Sequence, residues 1–234
     1  MRPLIVFLYS LCLACEVRDG DILHQITPSK IHQIHKCDIS GYRQLQNHMN
    51  ESYSSLTPYE LSLLDELEKG EDMIMYRLFS SSDSWYIAGE IDTVFTTNIG
   101  SHVDHKCVAD GYPETAWIDN TQEGADPMIT FVYPGSCPRI TRVFIFNGNV
   151  ATADSWEEYG RAKSIKLIYD GKPIAVLKLE DSRSFQEFEI GMLGYHDSKH
   201  APWTLSFEIT EVYPGTKTDR VSISEIYFDG IDYL

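Results

Sequence analysis

Thr204-Leu-Ser-Phe-Glu-Ile-Thr-Glu-Val-Tyr-Pro-Gly-Thr-Lys-Thr-Asp-Arg-Val-Ser-Ile-Ser-Glu-Ile-Tyr-Phe228 reads as two strands with a polar connection between them. Leu205, Phe207 and Ile209 alternate with Ser206, Glu208 and Thr210, the pattern of a strand covered on one face only. In the second run Val221, Ile223, Glu225 and Tyr227 share a face at period two, so a carboxylate stands in line with two β-branched core residues. Burying an ionised carboxylate without a partner costs roughly several kcal/mol. Glu225 is therefore expected to meet a cation, a salt-bridge partner such as Arg161, or a hydrogen-bond network.

Working outward, further runs of strand length occur at 128–133, 139–146, 163–169, 174–179 and 185–190. Asp170-Gly171 separates two of them and is the strongest short hairpin signal, so those two are expected to pair antiparallel. About eight strands in roughly 145 residues predict a mainly β chain, a two-sheet sandwich of jelly-roll type. Upstream, Thr57-Pro58-Tyr-Glu60 is a capping-box start with Pro at the first helical position, and Leu61, Leu63, Leu64 and Leu67 form an apolar stripe ending at Gly70. A second short helical or extended piece is expected at 73–79 and a serine-rich linker at 80–84. Residues 16–84 are otherwise polar and weakly periodic, a tether with a short helical segment ahead of a sandwich spanning 85–234.

Residues 1–15 have the form of an export signal: Arg2 precedes the apolar run from Leu4 to Ala14, which is too short to span a bilayer. The run ends at Cys15, and a small residue followed by Cys resembles the lipid-attachment site of bacterial lipoproteins, although Cys12 stands where Leu is usual. Ordinary cleavage after Ala14 is the alternative. Either way the chain is expected outside the cytosol, in the cell envelope, and in the first case lipid-anchored to a bacterial membrane at the surface or in the periplasm. The net charge of −16 excludes nucleic acid and an anionic membrane surface as partners and makes cations the natural counterpart. With Cys12 removed and Cys15 lipidated, Cys37, Cys107 and Cys137 remain. Cys107 with Cys137 is the preferred disulfide, a constraint of about 3–4 kcal/mol, and Cys37 with Cys107 is the alternative.

Val108-Ala-Asp-Gly-Tyr-Pro-Glu-Thr-Ala-Trp117 resembles the segment of discoidin-like, galactose-binding-fold domains in which a calcium loop precedes a core Trp. Asn147-Gly148, Trp156, Arg161, Lys163-Ser-Ile-Lys-Leu167, Leu179-Glu-Asp181, Phe185-Gln186, Phe188, Val212-Tyr-Pro-Gly-Thr-Lys217 and Ile223-Ser-Glu-Ile226 resemble, in order, the glycan-binding domain found with bacterial NAD glycohydrolases. The resemblance implies a structural calcium on Asp110, Thr115 and Glu225 with backbone carbonyls, a donor set that suits this ion. Tyr112 departs from the pattern, since many relatives place an Asn or Asp ligand there. The alternative is a tight turn at Asp110-Gly111 with Glu225 paired to a basic group.

A saccharide site needs an aromatic surface flanked by hydrogen-bonding side chains. Trp156, Tyr195, His196 and Trp203 are the candidates, with Trp156 open between a contact and an architectural role and Trp117 assigned to the core. No nucleophile elbow, P-loop, dinucleotide fingerprint or zincin helix is present. His102, His105 and Cys107, or His196 and His200, have zinc-like spacing in incomplete sets and read as solvated loop histidines. The expectation is a non-catalytic carbohydrate-binding module, with a protein-binding adhesin module, meeting a host or envelope protein, as the alternative.

Overall fold

The computed structural model describes residues 23–34, 39–51, 56–68, 93–96, 105–120 and 126–231. Their strands are β1 (Gln25–Ile26), β2 (Lys30–Gln33), β3 (Thr93–Thr96), β4 (Trp117–Ile118), β5 (Met128–Tyr133), β6 (Ile140–Asn147), β7 (Gly160–Tyr169), β8 (Lys172–Lys178), β9 (Ser184–Leu193), β10 (Trp203–Tyr213) and β11 (Val221–Gly230). Helices are α1 (Ile39–Glu51), α2 (Pro58–Glu68) and α3 (Ala153–Glu158), with one 3-10 turn at His105–Val108.

Strand order is β2-β9-β6-β11-β7-β10-β5-β3, with β8 beside β7, β1 beside β8 and β4 beside β11. β11 pairs antiparallel with β6 from Glu225 to Gly230, but meets β7 only through the parallel pairs Val221–Gly160 and Ser222–Arg161. At that short seam the sheet turns over on itself. One layer is β2-β9-β6-β11-β4 and the other β1-β8-β7-β10-β5-β3, which is the expected jelly-roll sandwich. Phe131, Leu167 and Phe207 from one layer meet Val143, Phe188 and Phe228 from the other in a dry core, with Phe131 edge-on to Phe228 at 4.9 Å. β10 keeps its one-sided pattern only toward its C-terminal half: Leu205, Phe207 and Ile209 are buried, Glu208 is half-buried and Thr210 exposed, but Ser206, expected on the open face, is buried. Asp170 and Gly171 join β7 to β8 with φ of 46° and 75°, the two positive values that a type I′ hairpin turn demands.

β11 is buried on both faces from Val221 through Phe228. Val221 and Ile223 enter the core between the layers, and so do Ile226 and Phe228, while Tyr227 packs on the outer face. The strand changes phase at Ser224. There the pairing of Ile223 with Trp117 on β4 hands over to that of Glu225 with Phe146 on β6, and the Ser224 hydroxyl accepts the Val150 N–H at 3.1 Å. Glu225 and Tyr227 thus lie on the face opposite Val221 and Ile223, a correction to the period-two reading.

That outer face is apolar too. Phe144, Phe146, Phe185 and Tyr227 are covered by Ile34, Ile39, Leu45 and Leu63 from the N-terminal segment. The tether expected over residues 16–84 is therefore not one where the structure describes it. β1 pairs parallel with β8, placing Gln25 opposite Val176, and β2 pairs antiparallel with β9 from Lys30–Glu187 to Gln33–Ser184. Residues 23–34 so cross from the edge of one layer to the edge of the other. α1 and α2 then close over the aromatic face, joined by His48 Nδ1 and Glu60 Oε1 at 2.8 Å. The capping box forms as read: the Thr57 N–H donates to Glu60 Oε2 at 2.7 Å and the Glu60 N–H to Thr57 Oγ1 at 3.2 Å.

Cys107 and Cys137 are thiols in the structure and not the expected disulfide. Cys137 sits in the core as a small apolar residue, its Sγ donating to the Pro138 carbonyl at 3.3 Å. Cys12, Cys15, Cys37, His102, the segment 73–79, the linker 80–84 and the boundary after it lie outside the described residues. No helix among the described residues is long and apolar enough to cross a membrane.

Candidate functional site

Two places bring functional side chains together. The first is the loop from Asp110 to Thr115, held between Val108 and Trp117, both fully buried. Gly111 takes φ +78°, which a residue without Cβ adopts at no cost. The chain then folds back on Asp110: the Tyr112 N–H donates to Asp110 Oδ1 at 2.8 Å, and Thr115 Oγ1 donates to Asp110 Oδ2 at 2.9 Å. Glu225 reaches the same point from β11, accepting from the Tyr112 N–H at 2.9 Å through Oε1. Its other oxygen, Oε2, is buried with no hydrogen-bond partner. Burial, then the adjoining Asp110 carboxyl, push the Glu225 carboxyl up to about 10. The three residues named from the sequence are therefore together, and Glu225 lies in a spot that disfavours its own ionised form.

Arg161 is not the partner of Glu225. Its Nε and Nη2 donate to the two Asp181 oxygens at 3.0 and 3.2 Å, and its guanidinium lies 4.5 Å over the Trp156 ring. The cation at the loop is Arg43 of α1, which sequence reading missed because it lies in the supposed tether. Arg43 Nε donates to Glu114 Oε1 at 2.8 Å, its Nη2 approaches the Gly111 carbonyl at 3.4 Å, and the guanidinium stacks 4.6 Å above the Tyr112 ring. Among the described residues no three or more His, Cys, Asp or Glu side chains converge to hold a metal. A cation here would take two carboxylates, from Asp110 and Glu225, with the Thr115 hydroxyl and backbone carbonyls. Calcium accepts such neutral oxygens.

The second place is the turn between β9 and β10. Tyr195 stacks on His200 with ring centroids 3.3 Å apart and planes 11° from parallel, and its hydroxyl donates to Asp170 Oδ2 at 3.3 Å. The loop is pinned to its neighbour: the Asp197 N–H donates to the Gly135 carbonyl at 2.8 Å, and a Cβ on Gly135 would fall 2.2 Å from the His200 carbonyl oxygen. Tyr195 remains 39% exposed. His196 is exposed and takes φ 50°, but the ring stacked on Tyr195 belongs to His200. Asp170, quoted for its turn, and His200, set aside as solvated, complete the cluster.

The other two aromatic candidates are structural. Trp203 is fully buried and stacks on Tyr133 at 4.5 Å, because it opens β10 and points between the layers. Trp156 is half-buried, its Nε1 donating to the Asn147 carbonyl at 2.9 Å, and a Cβ on Gly148 would come within 2.7 Å of its ring. A ligand on Trp203 would have to displace protein, and the Trp156 indole is already engaged by Asn147, Arg161 and Gly148.

The sequence model of the NAD glycohydrolase translocation F5/8 type C domain matches residues 85–229, well over half of the chain. The chain belongs to that family. The matched residues carry β3 to β11, strands of both layers, whereas β1, β2 and α1 with its Arg43 lie ahead of them. No curated protein sequence matches the chain. Solved structures similar to it include a family 32 carbohydrate-binding module of a family 31 glycoside hydrolase from Clostridium perfringens, at 13% identity and TM-score 0.46 over 62% of this chain and 93% of that one. A family 32 module from the same organism in complex with galactose gives 11% identity and TM-score 0.43, over 60% and 94%. A two-module structure from the C. perfringens protein ZmpB in complex with GalNAc gives 8% and 0.44; it covers 81% of this chain, which spans about half, 49%, of that one.

Proposed function

We propose that this F5/8 type C domain binds a saccharide and does no chemistry itself. The observation that carries the reading is the exposed Tyr195–His200 stack beside the Asp170 carboxylate. It offers a flat aromatic face for the apolar side of a sugar ring and an acceptor for its hydroxyls, on a loop held rigid by Gly135. A glycan array probed with the whole chain, with and without calcium, tests it. The expected result is a saccharide ligand lost on Tyr195→Ala with the melting temperature nearly unchanged, since the side chain is at the surface. Equal glycan binding by Tyr195→Ala places the saccharide site away from the Tyr195–His200 stack, and binding to no glycan while a host or envelope protein is retained favours the adhesin reading instead.

The domain is further proposed to carry a structural calcium on Asp110, Thr115 and Glu225. The orphaned Glu225 Oε2 and the carboxylate facing it are what a cation would satisfy, and the ion would fix the loop without taking part in a reaction.

Cys15 is proposed as a lipid anchor in the cell envelope. β1 opens ten residues later at Gln25, and ten extended residues reach at most about 36 Å, so an anchored sandwich would ride close to the membrane. Cys15→Ala is expected to move the protein from the membrane fraction to the soluble one. Unchanged fractionation would remove the anchor.

A further inference from the structure

Arg43 touches the loop at three points, and none of them is one of the three side chains proposed to hold the cation. It binds Glu114 Oε1, approaches the Gly111 carbonyl and covers the Tyr112 ring, while Asp110 Oδ1 and Oδ2, Thr115 Oγ1 and Glu225 Oε1 are turned toward one another. The helix thus grips the stretch between Asp110 and Thr115 and leaves the side chains of Asp110, Thr115 and Glu225 to face each other. Arg43 and Glu114 are mostly withdrawn from water, with side-chain exposures of 21% and 17%. Glu114 Oε2 is buried without a partner, so loss of Arg43 would leave this carboxylate partly buried and uncompensated next to Asp110 and Glu225.

We propose that Arg43 is a positioning residue for the cation loop, and that docking of α1 and binding of calcium at Asp110, Thr115 and Glu225 are thermodynamically coupled. The inference rests on the calcium reading above and goes beyond it: a helix ahead of the family's matched residues sets the affinity of a site within them. Holding the loop in its binding shape before the ion arrives lowers the ordering cost of binding. By linkage, the bound ion must strengthen the docking of α1 by the same factor. The direct repulsion between the guanidinium and a divalent cation opposes this, but the Arg43 charge is already engaged by Glu114 at 2.8 Å. Preorganisation therefore sets the sign. With calcium, the helical cover over Phe144, Phe146, Phe185 and Tyr227 closes more firmly; without it, the cover opens more often.

Calorimetric titration of the full chain with calcium compares wild type, Arg43→Gln, Arg43→Lys and, as a control for general loss of stability, Arg161→Gln, which breaks the Asp181 pair away from the loop. Arg43→Gln is expected to weaken calcium binding roughly tenfold, in the usual range for coupled sites. Arg43→Lys should restore only part of this, because an ammonium cannot reach Glu114 and stack on Tyr112 at once. Arg161→Gln should leave the affinity unchanged. Hydrogen exchange of wild type provides the reciprocal reading: amides of residues 39–51 should gain protection on adding calcium by a similar factor. Calcium binding with equal affinity in wild type and Arg43→Gln, tighter binding in Arg43→Gln, or no change in protection of residues 39–51 overturns the coupling alone. A wild type that binds no calcium overturns the coupling and the cation site together.

Discussion

Removing residues 1–68 is expected to leave a chain that aggregates or shows no cooperative melt. The deletion strips Ile34, Ile39, Leu45 and Leu63 from the outer face and leaves Phe144, Phe146, Phe185 and Tyr227 open to water. Four buried aliphatic side chains at about 1.5–3 kcal/mol each amount to roughly 6–12 kcal/mol, comparable with the whole stability of a typical domain. The same cut unpairs the outer edges of β8 and β9, and exposed edges next to an apolar face are a template for association. Thermal melting and size-exclusion chromatography of the truncated and full chains check this. A truncated chain that stays monomeric and melts within a few degrees of the full one would show that the N-terminal layer is dispensable.

In calcium-free buffer the wild type should lose stability as pH rises, and calcium should reverse the loss. The folded chain keeps a proton on Glu225 up to about pH 10, whereas the unfolded chain releases it near the ordinary value of 4.5. Between these values the folded state binds the extra proton, so its stability is full below the lower value and falls across the window, by at most ~1.4 kcal/mol per pH unit. Calcium takes the place of that proton, and its affinity should therefore tighten with rising pH. At a hundredfold excess over Kd it adds about 2.7 kcal/mol, which for a chain of this size is roughly 5–10 °C in Tm. Glu225→Gln keeps the volume, removes the charge, and should abolish both the pH slope and the calcium response. Melting curves from pH 5 to about pH 9 with calcium or chelator decide it. A response that survives in Glu225→Gln places the ion elsewhere, and a pH-independent wild type overturns the assignment of a proton to Glu225 in the folded chain.

Most of the sandwich was legible because its strands are long and their alternation is local. The run 128–133 is β5 to the residue, and Asp170-Gly171 made the turn that its composition implied. Trp117 was assigned to the core from the motif before it and is fully buried. What escaped depends on contacts far apart in sequence. β1 and β2, of two and four residues, are too short to show a period, and their partners lie some 150 residues away. The phase change at Ser224 is a handover between two neighbouring strands that no pattern within β11 encodes. Trp203 read as a loop residue because His200, Ala201 and Pro202 precede it, but it opens β10 and its ring stacks on Tyr133 across a strand pairing. Of the site, the residues of one contiguous motif were found, with Glu225 from β11. Arg43 was not, since a single Arg in a polar helix carries no local mark.

The place of β11 has a bearing on how the chain acquires its shape. β11, the most C-terminal of the described strands, lies between β6 and β7 and carries the strand pairing that joins the two layers at their seam. A chain elongating from its N-terminus therefore holds nearly all of its strands before it has the one that lets the layers close. Until Val221–Gly230 emerges, β6 lacks its neighbour and the aromatic interior lacks Phe228. Such an arrangement gives high contact order, so closure of the two layers is expected to be a slow, late step of folding.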